Sequence, residues 1–298
     1  MTVSWWCSGS AGQPWTWTYR PLIGVWLLAS AVIGLRELAW RRWAPDGAVR
    51  SGRQDAAFFG AVLGLVAVSE WPLGPLGAGY LLSVGMLRYL VYTLLVAPLL
   101  IIGTPQWMWR RLLTTNSWVL RATRLVTRWP FALAIANVVL VVTHLPPVVD
   151  TLKVWQAGSF GLDMLWLLGG LIMWWPVIGK LEEIPRLGDP AREVFLFGQS
   201  IVPTVPASFL TFATLPLFGL YELAPPVWLG YDIVADQRIA GLTMKIGGGI
   251  VLWIIIATLF LRWATRQERI DRGKATEADM AAEVRSWEGR APVSGSRS

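Results

Sequence analysis

The sequence predicts an all-α fold, a polytopic transmembrane bundle of seven helices, with the amino terminus outside and the carboxyl terminus in the cytoplasm. Three observations predict it. The chain is 54% hydrophobic and only 15% charged, with a mean hydropathy of +0.49, whereas soluble domains carry about 25% charged residues. Seven apolar stretches, at 21–40, 56–71, 80–102, 130–144, 160–178, 194–220 and 239–261, approach the roughly 20 residues that cross a bilayer. The basic residues alternate between the connecting segments: 41–55, 105–129, 180–193 and 262–298 hold 4, 5, 3 and 8 Lys and Arg, whereas 1–20, 72–79, 145–159 and 221–238 hold 1, 0, 1 and 1. Positive charge stays in the cytoplasm, so the first set lies inside.

This distribution accounts for the net charge of +7 as membrane orientation, with no nucleic-acid partner. A single Cys, Cys7, excludes an internal disulfide framework, and a single His, His144, excludes a His-rich metal site. No nucleophile elbow, P-loop or His-Glu-x-x-His occurs, so the chain is not expected to be an enzyme.

In chain order, 1–20 reads as an extracytoplasmic segment, 21–261 as the transmembrane domain and 262–298 as a cytoplasmic tail, helical and then disordered. The amino-terminal segment lacks the basic start and apolar centre of a cleavable signal, and Cys7 follows no apolar run that would suit a lipoprotein. Trp5-Trp6, Trp15, Trp17, Trp40, Trp43, Trp107, Trp109, Trp129 and Trp174-Trp175 read chiefly as a belt at the headgroup layer. The second and fourth spans are short. The sixth holds Pro203, Pro206 and Pro216 and is expected to be kinked or partly unwound. In 105–129, apolar residues interleave with arginines; an amphipathic helix on the inner leaflet and a connector packed on the bundle fit equally.

Charges inside spans are costly and therefore informative. Arg36 and Glu37, about one turn from the cytoplasmic end, can snorkel to the interface. The others fall in the outer half: Arg88 about 12 Å and Lys245 about 9 Å deep at ~1.5 Å per residue, Asp163 about one turn in, and Glu70, His144, Asp236 and Gln237 at outer span ends. We expect a polar, partner-facing cluster there, with Arg88 paired to Asp163; the plainer reading is a set of unconnected, separately hydrated ends. Copper is the metal such a place would take, from His144 and the span methionines Met86, Met164, Met173 and Met244, although a lone His before Leu145-Pro146-Pro147 usually caps and scattered Met residues usually pack.

Six pieces then occur in a telling order: PWTW at 14–17, WRRW at 40–43, LLVAPLLIIGTP at 94–105, THLP at 143–146, WWPV at 174–177 and DQRIAG at 236–241. Together they resemble the seven-span cytochrome c oxidase assembly factors first associated with caa-type oxidases. The resemblance implies a role in assembling a haem–copper terminal oxidase at the copper-delivery stage, with oxidase subunits as partners, in a bacterial plasma membrane. It also implies a His-x-x-x-His pair on each of spans three and five. Here those positions are Gly85 and Tyr89, and Ser159 and Asp163. The resemblance therefore carries the fold and the assembly role; no cofactor is expected with assurance, and copper stands only as a candidate. The alternatives are a small-solute or ion transporter with the polar cluster on its path, or a structural subunit of a respiratory complex.

Overall fold

A computed structural model describes residues 4–184 and 186–288. It is helical throughout, with no strand among the described residues. Among the described residues five helical segments are long and apolar enough to cross a membrane, counting Asp189–Phe212 as one, and the number rises to seven if each of two bent pairs forms one span.

The helices are α1 (Ile23–Trp43), α2 (Gly52–Ser69), α3 (Leu73–Gly79), α4 (Leu82–Gly103), α5 (Gln106–Thr114), α6 (Ser117–Val126), α7 (Trp129–Thr143), α8 (Pro146–Leu152), α9 (Gln156–Ile178), α10 (Asp189–Ile201), α11 (Thr204–Phe212) and α12 (Gly219–Glu222). The last, α13, begins at Ile233, passes through a π-helical turn at Thr243–Gly247 and continues to Glu288. The bent pairs are α2 with α3, at 52°, and α6 with α7, at 77°. The sixth apolar stretch breaks where its prolines predict: α10 ends at Ile201, Pro203 opens α11, and Pro216 lies in the non-helical stretch beyond Phe212. The expected disordered end of the tail, 289–298, lies outside the described residues.

α9 is the most enclosed of the long helices, with α4 next. α9 packs on α4 and α7, α2 packs on α4, and α10 and α11 pack on α13. This centrality explains why the polar groups on α4 and α9 are dry.

Pro98 shapes α4. Ahead of it the helix widens into a π turn over Val91–Val96, where Ala97 N–H reaches back to the Tyr92 carbonyl. In that register the Thr93 carbonyl would take the N–H of residue 98, which proline lacks. The indole of Trp174 on α9 donates to it instead, at 2.8 Å. A proline in one span and a tryptophan in another thus form one structural unit.

Several tryptophans depart from the expected belt. Trp17, Trp43 and Trp129 are exposed, as a belt requires, but Trp6, Trp166, Trp174 and Trp175 are core residues. Each is large enough to fill space between helices that carry many small residues. Arg36 also departs: it is 3% exposed and does not snorkel. Asp55 in the first turn of α2 pairs with it, and its guanidinium lies 4.4 Å from the Phe58 ring centroid. Glu37 lies 3.6 Å from Arg36 Nη1 and pairs more closely with Arg50, at 2.6 Å. The 105–129 region forms two short helices, α5 and α6, without a fully buried residue. Trp109, Leu113 and Leu120 lean on the core while Leu112, Trp118 and Leu125 are exposed, which an interfacial helix pair and a connector packed on the bundle both allow.

Candidate functional site

Three short elements meet above the centre of the bundle: the start of α4, the start of α9, and the amino-terminal segment. Arg88 is on the second turn of α4 and Asp163 on the second turn of α9. The Arg88 Nη2 donates to Asp163 Oδ2 at 2.6 Å, and both side chains are fully enclosed. Burying two charges is repaid only with good geometry and further hydrogen bonds. Arg88 Nε supplies one, to the Val68 carbonyl at 2.7 Å. That carbonyl belongs to the last turn of α2, where backbone oxygens lack helical partners and the helix dipole is negative. Asp163 Oδ2 accepts a second bond from Trp6 Nε1 at 2.9 Å.

The amino-terminal segment closes this site. Trp6 and Cys7 are buried against Leu22, Val25 and Ala78, with Cys7 Sγ 3.3 Å from Arg88 Nη2. Backbone bonds hold the segment down: Gly24 N donates to Trp5 O at 2.8 Å, and Gly9 N to Lys153 O at 2.7 Å. Burial pushes the Cys7 thiol up to about 11, partly opposed by the neighbouring Arg88 charge, so it is an unreactive thiol at neutral pH.

Lys153, which follows α8, is also buried. Its Nζ donates to the Tyr221 hydroxyl at 3.1 Å and lies 5.2 Å from the Trp166 ring centroid. Tyr221 in turn donates to the Gly77 carbonyl at 2.7 Å. Burial and then the Arg88 charge hold the Lys153 ammonium down, to about 8. Gly77 and Gly85 permit this approach. A Cβ on Gly77 would lie 2.6 Å from Arg88 Cδ, and one on Gly85 would lie 3.0 Å from the Gly77 carbonyl and 3.6 Å from Lys153 Nζ.

The expected Arg88–Asp163 pair is present, but the wider cluster is not a single constellation. Asp236 accepts from Leu82 N at 2.7 Å and from the Ser83 hydroxyl, capping α4 from another helix. Glu70 accepts from Leu22 N at 2.9 Å, ahead of α1. Gln237 ties down the non-helical stretch after α11 through Leu217 N at 2.8 Å and Leu215 O at 3.3 Å. His144 ends α7, with its Nδ1 2.7 Å from the Leu140 carbonyl and its ring 4.8 Å from that of Tyr89. Lys245 is exposed and bonded to Thr204. Four expected members of the cluster, Asp236, Glu70, Gln237 and His144, thus serve backbone groups at or near helix ends, because unpaired N–H and C=O groups there need partners.

Sequence reasoning missed Trp6, Cys7 and Lys153. The signals were faint: an apolar Trp-Trp-Cys run in an otherwise polar segment, and the sole basic residue of 145–159.

The family model for the cytochrome c oxidase caa3 assembly factor matches residues 32–266, most of the chain. The chain belongs to that family. Its function is cytochrome c oxidase assembly. No curated protein and no solved structure matches the chain.

Within this assembly factor, the donor set between α4 and α9 does not suit copper. Gly85 offers no donor, Asp163 Oδ2 is engaged by Arg88 and Trp6 so that only its Oδ1 is without a partner among the described residues, and two cations, Arg88 and Lys153, adjoin it. Copper would need soft or imidazole donors free of such neighbours. No group of three His, Cys, Asp or Glu residues is gathered among the described residues. The familiar motifs read structurally instead: Pro98 with Trp174 across two spans, Thr143 accepting from Trp166 Nε1 at 2.9 Å, and Asp236 capping α4.

Proposed function

We propose that this assembly factor acts as a non-catalytic, seven-span protein of a bacterial plasma membrane. Its amino terminus lies outside and its carboxyl terminus in the cytoplasm. It engages immature oxidase subunits through contacts within the bilayer, and it does so without copper at positions 85, 89, 159 and 163.

One observation carries the copper-free reading: an arginine and a lysine, with one engaged carboxylate, fill the space between the starts of α4 and α9. Their direct bonds run to Asp163, to Cys7, to the backbone of α2 and α3, and to Tyr221. The charges therefore fasten helices and the amino-terminal segment together, and the surface that meets a partner lies elsewhere.

Deletion of the gene, complemented by wild type or by a variant, tests the reading. Loss of oxidase activity on deletion, with immature oxidase co-purifying with the tagged wild-type protein, is the expected result. Full oxidase activity in the deletion strain, or stoichiometric copper in the purified protein, would overturn it.

A further inference from the structure

A groove of about 680 Å³ opens at the arginine-rich end of the bundle, between α1 and α5, with α2 and α4 as its back wall. That is about twenty water volumes at ~30 Å³ each, yet the walls are Val32, Leu35, Leu100, Met108 and Leu112. Two arginines line it, and no acidic residue does. Arg36 is 3% exposed; its Nη2 pairs with Asp55 and its Nη1 lies 3.6 Å from Glu37 Oε1, while its Nε and Nη1 have no hydrogen-bond partner among the described residues. Arg111 on α5 has no acidic partner among the described residues, and its guanidinium lies 5.7 Å from the Trp43 ring centroid.

We propose that this groove binds one anionic phospholipid, its phosphate held by Arg111 and drawn toward Arg36, and one acyl chain lying between α1 and α4. The groove runs from a basic, tryptophan-rimmed mouth into an apolar interior, which is the order of a lipid's own parts. The complementary charge extends beyond the groove: 105–129 carries 5 arginines and no acidic residue. Basic pockets beside spans at an interface favour anionic headgroups in this way. A partner helix would fill the apolar walls but leave the buried Arg36 donors unmatched.

Native mass spectrometry of the delipidated full chain in detergent tests this, with phosphatidylglycerol and phosphatidylcholine of identical acyl chains as probes. We expect one phosphatidylglycerol per chain, retained under conditions that strip phosphatidylcholine. Arg111→Gln should weaken its binding roughly fivefold. Leu35→Trp, at an exposed groove position, should block it sterically, and millimolar inorganic phosphate should not displace it. Both positions are exposed, so unchanged melting temperatures should accompany these losses. Equal retention of the two lipids, unaltered binding in both variants, or displacement by phosphate would overturn the proposal. So would loss of co-purifying oxidase in Leu35→Trp with lipid binding intact, which would assign the groove to a protein.

Discussion

Arg88 Nη2 and Asp163 Oδ2 lie 2.6 Å apart between α4 and α9, with neither side chain reaching solvent. Truncating one partner strands the other as a buried charge, so Arg88→Ala or Asp163→Ala should each cost about 3–5 kcal/mol. Replacing both with apolar residues, Arg88→Met with Asp163→Leu, should recover most of that loss. A charge swap should not, because an aspartate at position 88 would face the Val68 carbonyl that Arg88 now satisfies. Melting temperature and yield in detergent report the difference. A double apolar variant as unstable as the worse single variant would show that the pair is not the source of the cost.

Lys153 should make stability depend on pH. Arg88, Asp163, Cys7 and Tyr221 surround it, and its folded value is held at about 8 against an ordinary 10.5. Between those values the unfolded chain binds a proton that the folded chain does not. Stability therefore rises with pH across the window, by at most ~1.4 kcal/mol per pH unit. Cys7 acts in the opposite sense between 9.0 and about 11, where the folded thiol keeps its proton. The cleaner comparison is thus from about pH 7.5 to about pH 9. Wild type should gain melting temperature over that range and Lys153→Met should stay flat; parallel curves would remove the lysine from the account.

The helical bundle itself was legible because its signals are long-range and additive: long apolar stretches, and prolines that interrupt helices. The Arg88–Asp163 pair was legible because two opposite charges at similar depth in hydrocarbon have few other ways to offset their cost. The other members do not gather round that pair: Asp236, Glu70 and Gln237 bond the backbone N–H groups of Leu82, Leu22 and Leu217, which lie at or outside helix ends and need partners. Trp6 and Cys7 were unreadable because their segment owes its position to tertiary contact with α1 and α9, for which a 20-residue stretch carries no periodicity. The assembly role followed from motif order, and it agrees with the family to which the chain belongs.

Trp174 should be indispensable to the shape of α4. Its indole serves a carbonyl that Pro98 leaves without an N–H donor. Trp174→Phe keeps the ring and removes the donor, stranding a buried oxygen at about 1–3 kcal/mol. Pairing it with Pro98→Ala should soften the loss, since residue 98 regains an N–H. Additive losses in the double-mutant cycle would separate the two residues.

Asp236 should behave as a cap. Two backbone N–H groups at the start of α4, those of Leu82 and Ser83, point to its carboxylate. Asp236→Ala should destabilise by about 0.5–2 kcal/mol and Asp236→Asn by less, because the amide oxygen still accepts. Hydrogen exchange should quicken at residues 82–85 in the alanine variant while the amides of α9 stay protected. Uniform acceleration through the bundle would point to a wider role.

Copper titration provides the sharpest chemical contrast. The positions where the resemblance implies imidazoles hold Gly85, Tyr89, Ser159 and Asp163, beside Arg88 and Lys153. A cation entering there would meet two fixed positive groups and displace Arg88 from its carboxylate. His144 offers only Nε2, because its Nδ1 bonds at the end of α7. Purified protein should therefore bind no stoichiometric copper, whether Cu(I) or Cu(II), and His144→Ala should leave that baseline unchanged. Metal analysis of protein grown in copper-replete medium, with and without the His144 change, checks both parts. One copper per chain that disappears in His144→Ala would restore the lone imidazole as a ligand and remove the copper-free account.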